Sequence, residues 1–279
     1  MKLLAVWLLL ACAFTAKGQY YFNDIIGNQQ SNQQFRLLKA NHISGVKAFS
    51  YNNSNKLTDS FNIEQNLTED GNVLVTITEI PNTAPSTLIS YFQHNSLIGT
   101  INNVGAIETK TQYSYNTDSL LQQIHATTKD TVYRNYNSSE THIWQYNTAK
   151  KPMRMLKIKN SKDTTVVEFK LDSAGNVAEE HWFTNNRETE VYYYYYNPRK
   201  QLTDIVRYHL KIQKMIADYL FEYDAAGKIS QMSQLTAGGT GYLVWKYAYL
   251  ANGLKERETC SNQNDVYIGR IEYGYQKQP

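Results

Sequence analysis

The chain is poor in the residues that usually carry chemistry or staples. Cysteine occurs at only two of 279 positions, Cys12 and Cys260, and proline at five. Cys12 falls inside an N-terminal leader, so the mature chain keeps one thiol and a disulfide framework is excluded. Six histidines are scattered at 42, 94, 125, 142, 181 and 209 with no HxxxH pair, so no metal site follows from spacing and no cofactor is implied. No GxSxG, P-loop or dinucleotide fingerprint is present. Gly238-Gly239-Thr240-Gly241 sits between strand-like runs rather than between strand and helix, where it reads as a turn. Basic runs are missing too. The densest group is Lys150, Lys151 and Arg154 in a chain of formal charge +3, and nucleic acid is excluded as a partner.

Long apolar runs are absent apart from Leu3 to Phe14, which follows Lys2 and precedes Ala16-Lys17-Gly18. That pattern predicts a signal peptide over residues 1–18, removed before Gln19. At about a dozen residues it is shorter than the roughly 20 a spanning helix needs, so no transmembrane helix is expected in the mature chain. Leu9-Leu10-Ala11-Cys12 offers a second exit, a lipoprotein box that would leave Cys12 lipidated. Either route predicts export to the periplasm, the surface or the exterior of a bacterial cell. Loss of Lys2 and Lys17 lowers the formal charge from +3 to 3 − 2 = +1.

Abundant here are tyrosine, at 23 residues, and threonine and asparagine with it. Tyrosine and threonine favour strands and asparagine favours turns, so the chain reads as all-β. Strand-like runs alternate with turn clusters such as Asp172 to Asn176, Asn197 to Gln201, Asp224 to Lys228 and Leu250 to Gly253. The residues that end the strands before such turns are Tyr115, Tyr146, Leu171, Tyr196, Tyr223, Tyr249 and Tyr275, spaced 31, 25, 25, 27, 26 and 26 apart. Two strands and two turns fill about 26 residues, so the repeating unit is a β-hairpin.

Val167, Phe169 and Leu171 alternate with Glu168 and Lys170, and Tyr219, Phe221 and Tyr223 alternate with Asp218 and Glu222, giving one dry and one wet face. The expected architecture is a long antiparallel meander of about 18 strands forming a curled or twisted single sheet. One short helix is predicted over residues 32–41, where Ser31 and Gln34 have capping-box spacing ahead of Leu37 and Leu38. The domain plan is a leader over 1–18, a segment with the helix over 19–45, and the hairpin repeats over 46–279.

The unit Phe221-Glu-Tyr223-Asp224-Ala-Ala-Gly227-Lys-Ile229 resembles the YD-repeat, RHS-type family. Leu171-Asp172-Ser-Ala-Gly175-Asn-Val177 is similar without the tyrosine, and Tyr196-Asn197 and Tyr115-Asn116 keep the aromatic and turn residues but lose the glycine. The likeness is good over residues 164–275. It implies a hairpin strip able to spiral into a shell, with carbohydrate binding proposed for such strips. The encapsulating role of the large members does not carry over, because four residues after Tyr275 leave no room for a core domain or toxin tip.

Functional residues are few. Glu179 and His181 share a strand face with Glu180 pointing away, an arrangement that serves as a dyad or, more commonly, as a surface ion pair. Tyr192 to Tyr196 place rings on both faces of a strand. Tyr192, Tyr194 and Trp182 would suit sugar stacking if they lined an open groove, and cross-strand pairing explains them equally. Cys260 is assigned no role. The leading expectation is therefore a non-enzymatic exported scaffold or interaction surface with a protein partner, followed by a carbohydrate-binding module. A third reading, an outer-membrane barrel, fits the hairpin rhythm but not the charges on the strands.

Overall fold

Short runs rich in β-branched and aromatic residues, punctuated every eight to ten residues by Asn, Asp and Gly, favour hairpin pairing with their sequence neighbours, and every consecutive pair of strands forms one. The structure is a computed structural model describing residues 19–58, 61–133, 136–209, 213–236, 238–239 and 241–278; the leader and Cys12 lie outside the described residues. The strands are β1 (Ile43–Asn52), β2 (Asn62–Leu67), β3 (Val73–Glu79), β4 (Ser86–Gln93), β5 (Ser96–Val104) and β6 (Ile107–Tyr115). They continue as β7 (Leu121–Asp130), β8 (Asn137–Tyr146), β9 (Pro152–Lys159), β10 (Asp163–Leu171), β11 (Val177–Thr184) and β12 (Arg187–Tyr196). The last six are β13 (Leu202–His209), β14 (Lys214–Tyr223), β15 (Ile229–Leu235), β16 (Tyr242–Tyr249), β17 (Lys255–Asn262) and β18 (Tyr267–Lys277).

Each strand pairs antiparallel with the next, and β1 pairs with β18 from Ile43↔Lys277 to Asn52↔Gly269. The sheet is therefore closed: an 18-stranded up-and-down barrel rather than the curled open sheet expected from the sequence. Closure removes the two unpaired edges an open strip would present. The curvature for it has a local source. Next to the turns between β4–β5, β6–β7, β8–β9, β10–β11, β12–β13, β14–β15 and β16–β17, the register slips by one residue. Such bulges increase twist and bend the strand.

These turns form one rim, here the near rim. Asn116, Asn147, Asp172 and Asn197 each accept the backbone N–H groups two and four residues on. Just inside the rim runs a ladder of tyrosines. Tyr115, Tyr146, Tyr196, Tyr223, Tyr249 and Tyr275 donate their hydroxyls to the carbonyls of Leu97, Leu121, Val177, Leu202, Ile229 and Lys255, at 2.6 to 2.9 Å. Each partner stands at or beside the start of the strand after the previous near-rim turn. The sequence period of about 26 is thus a lateral hydrogen-bond spacing, missed within the series from Tyr115 to Tyr275 only where Leu171 replaces tyrosine.

The helix is longer than predicted and starts earlier. A π-helical turn over Tyr21–Ile26 runs into α1 (Gly27–Ala40), and Ser31 sits inside it, its hydroxyl bonded to the Gly27 carbonyl rather than capping a start. This segment lies inside the barrel. Tyr20, Phe22 and Ile25 join Trp144, Phe169, Trp182, Tyr194 and Phe221 in the main core, and Phe35 stacks on Phe92 of β4 with ring centroids 3.7 Å apart. The wall faces divide as the alternation predicts at Val167 and Phe169, which are buried, and at Glu168 and Lys170, which are exposed. Asp218 is an exception: the register slip between Ile205 and Val206 of β13, opposite Tyr219 and Ala217, accompanies its turn inward to meet Arg207 at 2.8 Å.

Candidate functional site

Among the described residues, the larger concentration of buried ionisable groups is where the N-terminal segment meets the wall; a smaller one surrounds Glu258, which meets Lys255 at 2.7 Å and the Tyr273 hydroxyl at 2.8 Å. Glu180 of β11, whose side chain the sequence placed merely opposite His181, is fully buried. Its carboxylate accepts the backbone N–H groups of Tyr20 and Tyr21 at 2.8 and 3.0 Å, the Trp182 indole N–H at 2.7 Å and the Tyr194 hydroxyl at 2.6 Å. Burial raises the Glu180 pKa, and these donors pull it back. Both backbone donors belong to the start of the helical segment, where N–H groups have no partner within the helix.

A second anchor lies beside it. His142 of β8 bonds Asp24 through Nδ1 at 2.7 Å and Glu140 through Nε2 at 3.0 Å, and Asp24 also accepts the Trp144 indole N–H at 3.1 Å. Burial favours neutral imidazole, but the two carboxylates outweigh it and lift the His142 pKa to about 9. Lys157 reaches the Tyr20 hydroxyl at 2.8 Å and Glu140 at 3.2 Å. Gln19 donates to Asp218 at 2.8 Å. Every member is committed to holding residues 19–24 against the wall. Within this cluster no Ser, Thr or Cys stands beside a base; a hydroxyl–imidazole contact, Thr141 with His125 at 2.8 Å, lies apart from it on the outer face, and no group of His, Cys, Asp or Glu able to hold a metal occurs among the described residues.

The residues proposed for sugar stacking do not form an open platform. Tyr192, Tyr194 and Trp182 are 2%, 3% and 8% exposed, because all three point into the barrel, where Trp182 stacks on Tyr20. The Glu179–His181 contact exists at 2.5 Å, but on the outer wall, where His181 also meets Glu188 at 2.9 Å and Lys170 meets Glu179 at 2.8 Å. It is an ion cluster on the outer face. Cys260 is 1% exposed, and burial pushes its thiol up to about 12. Among the described residues no helix is long and apolar enough to cross a membrane, which is silent about strands.

Sequence reasoning missed Glu180 and Asp24. The available signal was an acidic residue in step with Trp182, on a face otherwise aromatic, where a carboxylate needs donors to be tolerated. A shallow groove of about 420 Å³ on the outer wall, where Gly99 leaves a gap beside Tyr91, Gln112 and His125, had no sequence signal at all.

No protein-family model matches the chain, and no curated protein matches it. Among solved structures, a porin-like protein from Bacteroides uniformis is similar over 84% of this chain and 98% of its own, at 10% identity and a TM-score of 0.40. A porin-like protein from Bacteroides vulgatus is similar over 85% and 99%, at 11% identity and a TM-score of 0.28. The Photorhabdus luminescens Tc holotoxin pore is similar over 78% of this chain and 16% of its own, at 8% identity and a TM-score of 0.25. Likenesses this distant leave the functional reading to the residues of the barrel itself.

Proposed function

We propose that this chain is an exported, non-enzymatic envelope protein: a closed β-barrel, plugged by its own N-terminal segment, whose outer wall faces water and serves as a scaffold or interaction surface. The observation that carries this reading is the polarity of the wall. Inward positions hold Trp144, Phe169, Trp182, Tyr194, Phe221 and Trp245. Outward positions hold paired charges, Lys47 with Glu64, Lys170 with Glu179, and Arg270 with Glu272. A lipid-facing band about 25 Å tall would have to desolvate such groups, at a few kcal/mol for each basic side chain near its middle. The tyrosine ladder and Asx turns favour the likeness to YD repeats, with the strip closed on itself.

A second reading, a barrel seated in the outer membrane, is favoured by closure: an even number of antiparallel strands in meander order is the architecture of such barrels. Fractionation after expression with the native leader separates the two. The proposed reading expects the protein in the aqueous phase of a detergent phase separation, without detergent being needed to keep it dispersed. Recovery only from outer membranes by detergent would establish the second reading instead.

A further inference from the structure

We infer that the far rim of the barrel, opposite the near-rim turns, docks on a lipid surface through one arc of its turns. The large hydrophobic side chains left exposed are distributed unequally. On the turns of the far rim or beside them stand Val266, Leu57, Val104, Ile107, Val132 and Tyr133, between 37% and 77% exposed. The near-rim turns themselves carry none among the described residues, and beside them Ile98, Met153 and Tyr195 stand singly on three separate hairpins. The six come from the turns β17–β18, β1–β2, β5–β6 and β7–β8, which closure makes neighbours around the rim. The β3–β4 turn between them adds Pro81 and Pro85.

The arc is one patch rather than isolated tips. Thr131 donates its backbone N–H to the Ala106 carbonyl at 2.8 Å, and Ala84 packs against Gly105. The next turns around the rim, Asn160-Ser161-Lys162 and Asn185-Asn186, are polar, and beyond them Tyr208 and Met215 flank the β13–β14 turn, so the exposed apolar surface is concentrated in the arc with a smaller patch apart from it.

The occupant follows from shape and area. The six side chains project from four turns, with Asn, Thr and Ser and the charges of Lys56, Asp130 and Asp265 between them, and expose on the order of 500 Å², short of the roughly 800 Å² per partner of a stable protein pair. A protein partner would need a complementary relief, while a bilayer interface takes separately inserted side chains on a common rim without one. Tyrosine at the tips suits that interface, its ring in the acyl boundary and its hydroxyl in the headgroup layer.

This inference rests on the outer wall facing water, and the test keeps the two apart. Purified protein, residues 19–279, is floated with preformed vesicles of phosphatidylethanolamine and phosphatidylglycerol, at low and high salt. If it can be handled only in detergent, the water-facing reading fails before any vesicle is added. If it is soluble, the expected result is co-flotation that survives high salt. Leu57→Ser with Val132→Ser and Tyr133→Ser should lower it about tenfold or more, and Tyr195→Ser on the outer wall should leave it unchanged. Circular dichroism and the denaturation midpoint confirm that the variants fold. Protein that stays in the supernatant overturns the proposal, as does binding abolished by salt or unaltered in the triple variant. Sedimentation showing a dimer that the triple variant dissociates would assign the arc to a second copy instead.

Discussion

The carboxylate of Glu180 accepts the backbone N–H of Tyr20 at 2.8 Å, joining positions 160 residues apart in the chain. The same carboxylate binds Tyr21, Trp182 and Tyr194. The N-terminal segment is thereby tied to the wall at its first turn, where helical N–H groups are unpaired and favour an anion.

Glu180→Gln keeps the shape but turns an acceptor into a donor facing other donors. A loss of about 3 kcal/mol is expected. Hydrogen exchange should rise first over residues 20–40, ahead of the strands. Unchanged stability with unchanged exchange would show that the carboxylate is not the anchor.

The tyrosine ladder predicts small, repeated effects. Tyr196→Phe and Tyr223→Phe each remove one hydroxyl bond, to Val177 and Leu202, and should cost about 1 kcal/mol. Leu171→Tyr places a hydroxyl at the vacant rung, toward the start of β9 at Pro152, and should stabilise by up to about 1 kcal/mol. Denaturant midpoints at constant m decide, and a destabilised Leu171→Tyr would mean that the rung has no room.

His142 makes stability depend on alkaline pH. Its folded pKa of about 9 lies above the ordinary 6.5, so its contribution is fully present below about 6.5 and is lost as pH rises through about 9. Unfolding free energy should therefore fall between neutral pH and pH of about 9.5, and His142→Gln should flatten that fall. Parallel profiles for the two proteins would remove His142 as the cause.

Cys260 should be inert while the barrel is intact. With 1% exposure and its thiol pushed up to about 12, it reacts with iodoacetamide only after unfolding. Rapid labelling of folded protein would show that the wall opens locally at β17.

The amino-acid sequence determined the local rules: tyrosine and threonine runs made strands, Asp172 and Asn197 made turns, and alternation around Phe169 set a dry and a wet face. The period of the hairpins and the number of strands, 18, were legible in it because those depend on neighbours in the chain. Only the tertiary structure decided that Val46 meets Tyr275 and closes the sheet, since that pairing joins distant residues and rests on bulges accumulated near rim turns. The same closure decided the fate of Glu180, Tyr192 and Trp182. A strand pattern says that two faces differ, and the side of a curved sheet that becomes the inside is settled only when the ends meet around the segment that fills it.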